Sequence, residues 1–371
     1  MDLDLSTEDE RIRAAAELAA REVLAPEARA ADEQRRFQRE TVFELGARGL
    51  LDERLTAMQM ALIAEELGRV DSSARGFVTV QSGLVARCLV EFAASEEVRR
   101  WLPRLRSGSA IACYALTEPE AGSDLRSIRS RAEPAADGGF RLSGEKHWIT
   151  NGGVADRALY FAVAPEGLTA FWVPTDAPGF EHSRMPDAEL GHRASDHAHL
   201  VLDRVGVPAS AVVGEVGRGH RVALWALSQG RLGVAAGALG VLRASLDASV
   251  AFARERRQFG QRIGDFEMVQ EAIAEMAAGA AAGRLLVREA AWLRDQGRDN
   301  AQAVAIAKLF CTEAALRAAD QAILLHGARG YANGHPVERY WRDAKGMQIY
   351  EGTAHVQRII IARALLGRED R

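Results

Sequence analysis

The chain has 371 residues and a formal net charge of −4, with 48% of residues hydrophobic and 26% charged. That length predicts about two or three packed units, and the charge gives no basic footprint for nucleic acid. Three widely spaced cysteines (Cys88, Cys113, Cys311) and the acidic start MDLDLSTEDE predict a cytoplasmic protein with no disulfide framework, no secretory signal and no membrane span.

The first part of the chain reads helical. Thr7 and Glu10 have capping-box spacing, and Ile12, Ala15, Ala16, Leu18, Ala19 and Val23 recur at helical spacing up to Pro26. RETVFELGARGLL, LTAMQMALIAEELGRVDSS, GFVTVQSGLVARCLVEFA and SEEVRRWLPRL continue the pattern to Pro103 and Gly108. Near Ala110 the period changes. AIACYAL, FRLSGEKHWITNG, ALYFAVA, LTAFWVP and HAHLVLDRVGVP are short apolar or alternating runs, broken by DGG and PEG turns. They predict an antiparallel β unit. From Gly217 the helical pattern returns as one very long Ala-rich helix reaching Phe259. Three further helical stretches beginning FEMVQ, AQAVA and IYEGT follow it. The predicted class is α+β: a helical domain over 1–109, an antiparallel β-barrel over 110–216 and a four-helix bundle over 217–371.

No G-x-G-x-x-G opens a helix after a strand, and no G-x-S-x-G, H-E-x-x-H or Walker loop is present. His192, His197 and His199 in GHRASDHAHL form the one tempting metal cluster. No third ligand beside His197 and His199 has suitable spacing, so no metal is predicted. QIYEGTAHVQR, residues 348–358, permits two readings. Gly352 breaks one helix and Thr353 caps the next, with Glu351 solvated beside them; or Glu351 is a base.

CYALTEPEAGSD, GEKHWITNGG and RDAKGMQIYEGTAHVQRIIIARALLG, with LGHRASDHAHLVLDRVGVP and ARERRQFGQRIGDFEMVQ, resemble in order the signatures of the acyl-CoA dehydrogenase family. The resemblance spans nearly the whole chain. It implies FAD, an acyl-CoA or acyl carrier protein thioester as substrate, and electron-transfer flavoprotein or oxygen as acceptor. It also implies a homodimer or homotetramer, with neither membrane nor nucleic acid as partner. Glu351 matches the base that removes the α-proton, and Gly230 stands where some members carry that base instead. Tyr114, Leu116 and Thr117 match the flavin edge, Gly122 and Ser123 the pyrophosphate side, and Trp148, Ile149 and Thr150 the other flavin face. Arg256, Gln258 and Phe259, with Leu324 and Gly327, match segments that reach a neighbouring subunit's FAD. Thr353 and His355 match the adenosine side. Ser123, Arg231 and Gly352 match substrate contacts.

Departures from the pattern carry expectations of their own. Leu324, Ala328, Glu267 and His355 replace residues usual on the ADP side, which implies FAD held less tightly. Ser228 replaces a usual aspartate on the helix that meets the CoA arm, and a Gly-rich segment usual after GARGLL is missing. Both features, with DSSARGFVTVQSGL, resemble relatives that oxidise short polar acyl groups of the glyceryl or hydroxymalonyl type on carrier proteins. Nitroalkane oxidases and flavin monooxygenases share the resemblance and remain alternatives, as does a scaffold without cofactor.

Overall fold

The computed structural model describes residues 4–367. Its N-terminal layer is helical: α1 (Thr7–Ala19), α2 (Ala28–Gln34), α3 (Arg39–Ala47), α4 (Ala57–Gly68), α5 (Ser72–Val78), α6 (Arg87–Phe92), α7 (Glu96–Arg99) and α8 (Leu102–Arg106). A wide-turned π-helical stretch, Thr79–Ala86, joins α5 to α6 without a break. The capping box at the start of α1 is Ser6 with Asp9, not Thr7 with Glu10, because Ser6 is the residue in extended backbone before the first turn. The sequence pattern also misses α2. Only its contact partners stabilise so short a helix: Asp32 is buried against Arg342, which donates to both carboxylate oxygens at 3.0 and 2.6 Å.

Eight strands follow: β1 (Ala112–Ala115), β2 (Arg131–Pro134), β3 (Phe140–Thr150), β4 (Arg157–Ala164), β5 (Gly167–Pro174), β6 (Phe180–Arg184), β7 (His197–Val207) and β8 (Val212–Val213). They form one sheet in the order β6-β7-β3-β2-β4-β5-β8, with β1 also on β4. Alternation along β4 sends Ala158, Tyr160 and Ala162 to one core and Leu159 and Phe161 to another. The first core draws its residues from the sheet and its connections alone, as in a sheet curled into a barrel. The sheet is not wholly antiparallel as expected. β1 and β2 run parallel to β4, since neither is joined to it by a hairpin.

The C-terminal layer holds α9 (Gly219–Glu255), a two-stranded hairpin of β9 (Arg257–Gln258) and β10 (Gln261–Arg262), then α10 (Glu267–Asp295), α11 (Ala301–His326), α12 (Ala328–Tyr331), α13 (Pro336–Met347) and α14 (Ala354–Leu366). The last arm of the expected bundle is therefore two helices, α13 and α14, with Glu351 in the joint. α9 is long and apolar enough to cross a membrane by length and composition, and 67% of its most apolar window is buried inside the protein. Its glycines let other backbones approach. A Cβ on Gly240 would stand 2.2 Å from the Glu65 carbonyl of α4, and one on Gly68 of α4 would stand 2.7 Å from the Gly237 carbonyl. The three cysteines are buried and unpaired.

Candidate active site

Glu351 lies in the six-residue joint between α13 and α14. Its φ is 56° and that of Gly352 is 87°, so two successive residues are left-handed and the chain turns sharply. For glutamate that conformation costs roughly 1–2 kcal/mol and needs support from outside the loop. The support is a set of bonds to three consecutive carbonyls. Lys308 Nζ donates to Tyr350 O at 2.8 Å and Gly352 O at 2.6 Å, Arg231 Nε to Glu351 O at 3.3 Å, and Gln357 Nε2 to Gly352 O at 2.8 Å. Thr353 does cap α14, accepting from the Val356 N–H at 3.3 Å. The cap and the placed carboxylate coexist.

The carboxylate itself rests on α9. A Cβ built on Gly230 would lie 1.8 Å from Glu351 Oε2, so positions 230 and 351 reach the same point in space. Oε2 is shielded from solvent and has no hydrogen-bond partner. Burial pushes the Glu351 pKa up to about 7, against the downward pull of Lys308, Arg75 and Arg231. A carboxylate that titrates near neutrality with a free lone pair can accept a proton from carbon.

The same face of α9 continues through Gly233 and Gly237, one and two turns further on. Cβ atoms there would lie 3.0 Å from Thr79 Oγ1 and 2.6 Å from Arg75 Nε. Arg75 is only 1% exposed. Its Nη2 donates to Tyr350 Oη at 2.6 Å, while its Nε is buried without a partner. Tyr350 Oη lies 3.3 Å from His192 Nε2, and the His192 N–H donates to Asp343 Oδ1 at 2.6 Å. Burial holds His192 neutral, lowering its pKa to about 3. The sequence reading passed over Arg75, Tyr350 and Lys308. A single lysine in the apolar helical run AVAIAKLFC was the available signal for Lys308.

The β domain supplies the opposite wall. Lys146, wholly buried, donates to Leu116 O at 3.0 Å and Glu118 Oε1 at 2.7 Å, and the His147 N–H donates to Thr117 O at 2.9 Å. These bonds seat the Leu116–Thr117 segment beside β3, joining two stretches that the sequence keeps apart. Tyr114 Oη reaches Ala223 O of α9 at 3.3 Å, and burial raises its pKa, with the Glu351 charge adding to the effect. Trp148 has φ 57° and is 47% exposed, whereas Ile149 and Leu116 are buried. Thr150 is half-buried at the end of β3. The exposed Gly122 and Ser123 have N–H groups that find no acceptor among the described residues. An exposed indole and free backbone donors on the β domain suit a flat, phosphate-bearing cofactor such as FAD.

Arg256, Gln258 and Phe259 lie elsewhere. Twenty-six residues of chain separate Gly230 from Arg256, about 39 Å along α9 at 1.5 Å per residue. Phe252 stacks on His326 at 4.3 Å, which brings the Arg256 hairpin to the end of α11 with Leu324 and Gly327. At this end Phe259 is 93% exposed and Leu324 65% exposed. His355 is exposed on α14. The anticipated cofactor residues thus fall into two groups that one chain does not unite.

The histidines are also rearranged. His192 belongs to the Tyr350 network, and His197 Nδ1 lies 3.4 Å from Glu189. His199 instead meets His147 and Glu145 across the β3–β7 pairing, the three ligand atoms lying within 4.8 Å of one another. The expectation of no third ligand nearby is therefore corrected, since cross-strand neighbours are invisible in linear spacing.

Sequence profiles of the acyl-CoA dehydrogenase N-terminal, middle and C-terminal domains match residues 6–109, 113–205 and 217–366. Probable acyl-CoA dehydrogenase YngJ of Bacillus subtilis (strain 168) is 36% identical over 99% of this chain and 100% of its own length. Among solved structures, glutaryl-coenzyme A dehydrogenase in complex with glutaryl-CoA is 33% identical with a TM-score of 0.95, covering 100% of this chain and 98% of its own. The prolyl acyl carrier protein oxidase AnaB is 28% identical with a TM-score of 0.92, covering 98% and 100%.

Proposed function

The chain belongs to the acyl-CoA dehydrogenase family of FAD-dependent oxidoreductases, and from that premise we propose that it desaturates an acyl thioester at Cα–Cβ with Glu351 as the base. FAD, when bound, supplies the hydride acceptor for the β-hydrogen. Trp148, Thr150, Thr117, Gly122 and Ser123 would hold it. Glu351 takes the α-proton on Oε2, and its raised pKa makes it a stronger base than an exposed carboxylate while leaving an ionised fraction near neutral pH. As the proton leaves, negative charge grows on the thioester oxygen and calls for nearby donors. The observation that carries this reading is the buried, unpartnered Oε2 set against Gly230. Anaerobic titration with acyl thioesters should bleach the flavin. Bleaching by nitroalkanes and not by thioesters would overturn the assignment.

A second reading concerns the substrate. One turn along α9 from Gly230 lies a cavity lined in part by Thr79, Gly83, Arg87, Gln229, Gly233 and Arg294. Arg87 and Arg294 both donate to Gln229 Oε1, at 3.1 and 2.8 Å, and Arg75 stands nearby with its Nε unpartnered. Ala57, Met60, Ala61, Ala64, Val78 and Leu232 line the rest of this cavity, and Arg87 and Arg294 spend further donors on the Leu55 and Ser228 carbonyls. It is therefore the unpartnered Arg75 Nε that favours a short polar or anionic acyl group over an alkyl chain. The likenesses to a glutaryl-CoA complex and to a carrier-protein oxidase support the same reading. Ser228, whose hydroxyl turns back to Trp225 O at 2.7 Å, leaves no carboxylate for a CoA arm. The acyl group would then arrive on a carrier protein's phosphopantetheine at least as readily as on CoA. Comparing kcat/KM for one acyl group on both carriers tests this, and a tenfold or greater CoA advantage across several acyl groups would refute it.

Relatives in this family pass electrons to electron-transfer flavoprotein; oxygen is the other acceptor to assay. The exposed Phe259 and Leu324 end favours a homodimer or homotetramer in which one copy completes the other's FAD site. Buried, unpaired cysteines fit a cytoplasmic setting.

A further inference from the structure

We propose that Lys308 is a positioning residue for the reaction, aiming the Glu351 N–H into the site and placing its ammonium behind the carboxylate. The inference rests on Glu351 being the base. Lys308 enters from α11, is 1% exposed, and its ammonium bonds to carbonyls, with no ion pair to a carboxylate among the described residues. A buried ammonium without a salt bridge is costly unless its donors are used. Here they go to the two carbonyls that flank Glu351, Tyr350 O at 2.8 Å and Gly352 O at 2.6 Å.

The geometry gives this clamp a direction. No peptide here is cis. In a trans peptide the C=O and N–H point opposite ways. Fixing the Tyr350 carbonyl on α11 therefore turns the Glu351 N–H away from α11, and that N–H has no acceptor among the described residues. It is free to meet the thioester oxygen as charge develops there. Without Lys308, two left-handed residues in succession would have only Arg231 and Gln357 to hold them.

The charge acts on the same residue. The groups that bear on Glu351 are Arg75 from α5, Arg231 from α9, Lys308 from α11 and, as acids, Tyr114 from β1 and the adjacent Tyr350. Burial lowers the Lys308 pKa to about 7, against the upward pull of the Glu351 charge. Lys308 is the nearest in effect of the three cations. Its charge favours the ionised carboxylate, so its loss must raise the pH at which the base becomes available.

The test compares Lys308→Met, Lys308→Gln and Lys308→Arg with Glu351→Gln, using the FAD-loaded enzyme. Folding is followed by far-UV circular dichroism and flavin content, and affinity for a non-reducible thioester analogue by calorimetry. K308M should lose about 10²-fold in kcat, as when an oxyanion donor is misplaced, and bind the analogue more weakly. The acid limb of its kcat/KM profile should move up by about one pH unit or more. K308Q retains a donor without the charge and should recover part of kcat while keeping the shifted limb. K308R should return the limb toward wild type. If K308M does not fold, K308Q decides. Lys308 variants that keep both kcat and acid limb, or lose only thermal stability, overturn the proposal. Reduction of E351Q at a normal rate would instead overturn the base assignment and this inference with it. An inactive E351Q beside wild-type behaviour in the lysine variants would overturn this inference alone.

Discussion

The two ends of α9 differ in how much of a site one chain completes. Around Gly230 the arrangement is closed: a carboxylate on a clamped loop, cations from three helices, and a β-domain wall pinned by Lys146 and Glu118. Around Arg256 it is open, with an exposed hairpin, an exposed Phe259 and an exposed Leu324. On the proposed reading, proton abstraction is organised within a single fold, whereas retention of the cofactor's distal half would call on a second copy. Burial explains it. A base needs low dielectric and fixed geometry, which only a packed interior gives. A pyrophosphate needs positive charge and donors at a surface.

The largest expected effect is at the closed end. Glu351→Gln keeps the shape of the loop and removes the base, so substrate reduction of the flavin should fall by about 10²–10⁴-fold or more with FAD content unchanged. Rapid-mixing absorbance measures this, and a near wild-type rate would return Glu351 to a cap neighbour. Gly230→Ala comes next. Its methyl would stand 1.8 Å from Oε2 and must displace the carboxylate, and a misplacement of about 1 Å can cost roughly 10²-fold in rate. The helix should not suffer, because alanine is favoured over glycine by about 1 kcal/mol in a helix interior. A loss of rate without a loss of melting temperature is the expected signature.

At the open end, Arg256→Ala should weaken FAD binding by about tenfold or more, the worth of roughly 1.5–3 kcal/mol for a charge-assisted bond. It should leave the per-flavin rate intact. Fluorescence titration with FAD at several protein concentrations checks it. An unchanged affinity, or an affinity independent of self-association, would break the comparison between the two ends. The gentlest test is pH. Glu351 works ionised and its pKa is raised toward 7, so kcat/KM should be full above that region and fall about tenfold per unit below it. A wild-type profile flat down to pH 5 would show that the carboxylate is not held as described.

Much of the fold was legible because periodicity survives in linear sequence. The switch near Ala110 and its reversal near Gly217 correspond to the entry into β1 and the start of α9. As a candidate base, Glu351 was legible only through its company of motifs, since a glutamate before Gly-Thr is also what a helix joint looks like. Tertiary structure decided the rest, because its causes lie between distant residues. α2 stands on the Asp32–Arg342 pair, 310 residues apart in the chain. β1 chooses a parallel partner 45 residues on. His199 meets His147 and Glu145 across strands. The sequence by itself determined which stretches bury a helical or a strand face, because side-chain direction follows local backbone geometry. Only the tertiary structure decided that Lys308, Arg75 and Arg231 converge on Glu351, because electrostatic environment depends on what packs around a group and not on what precedes it.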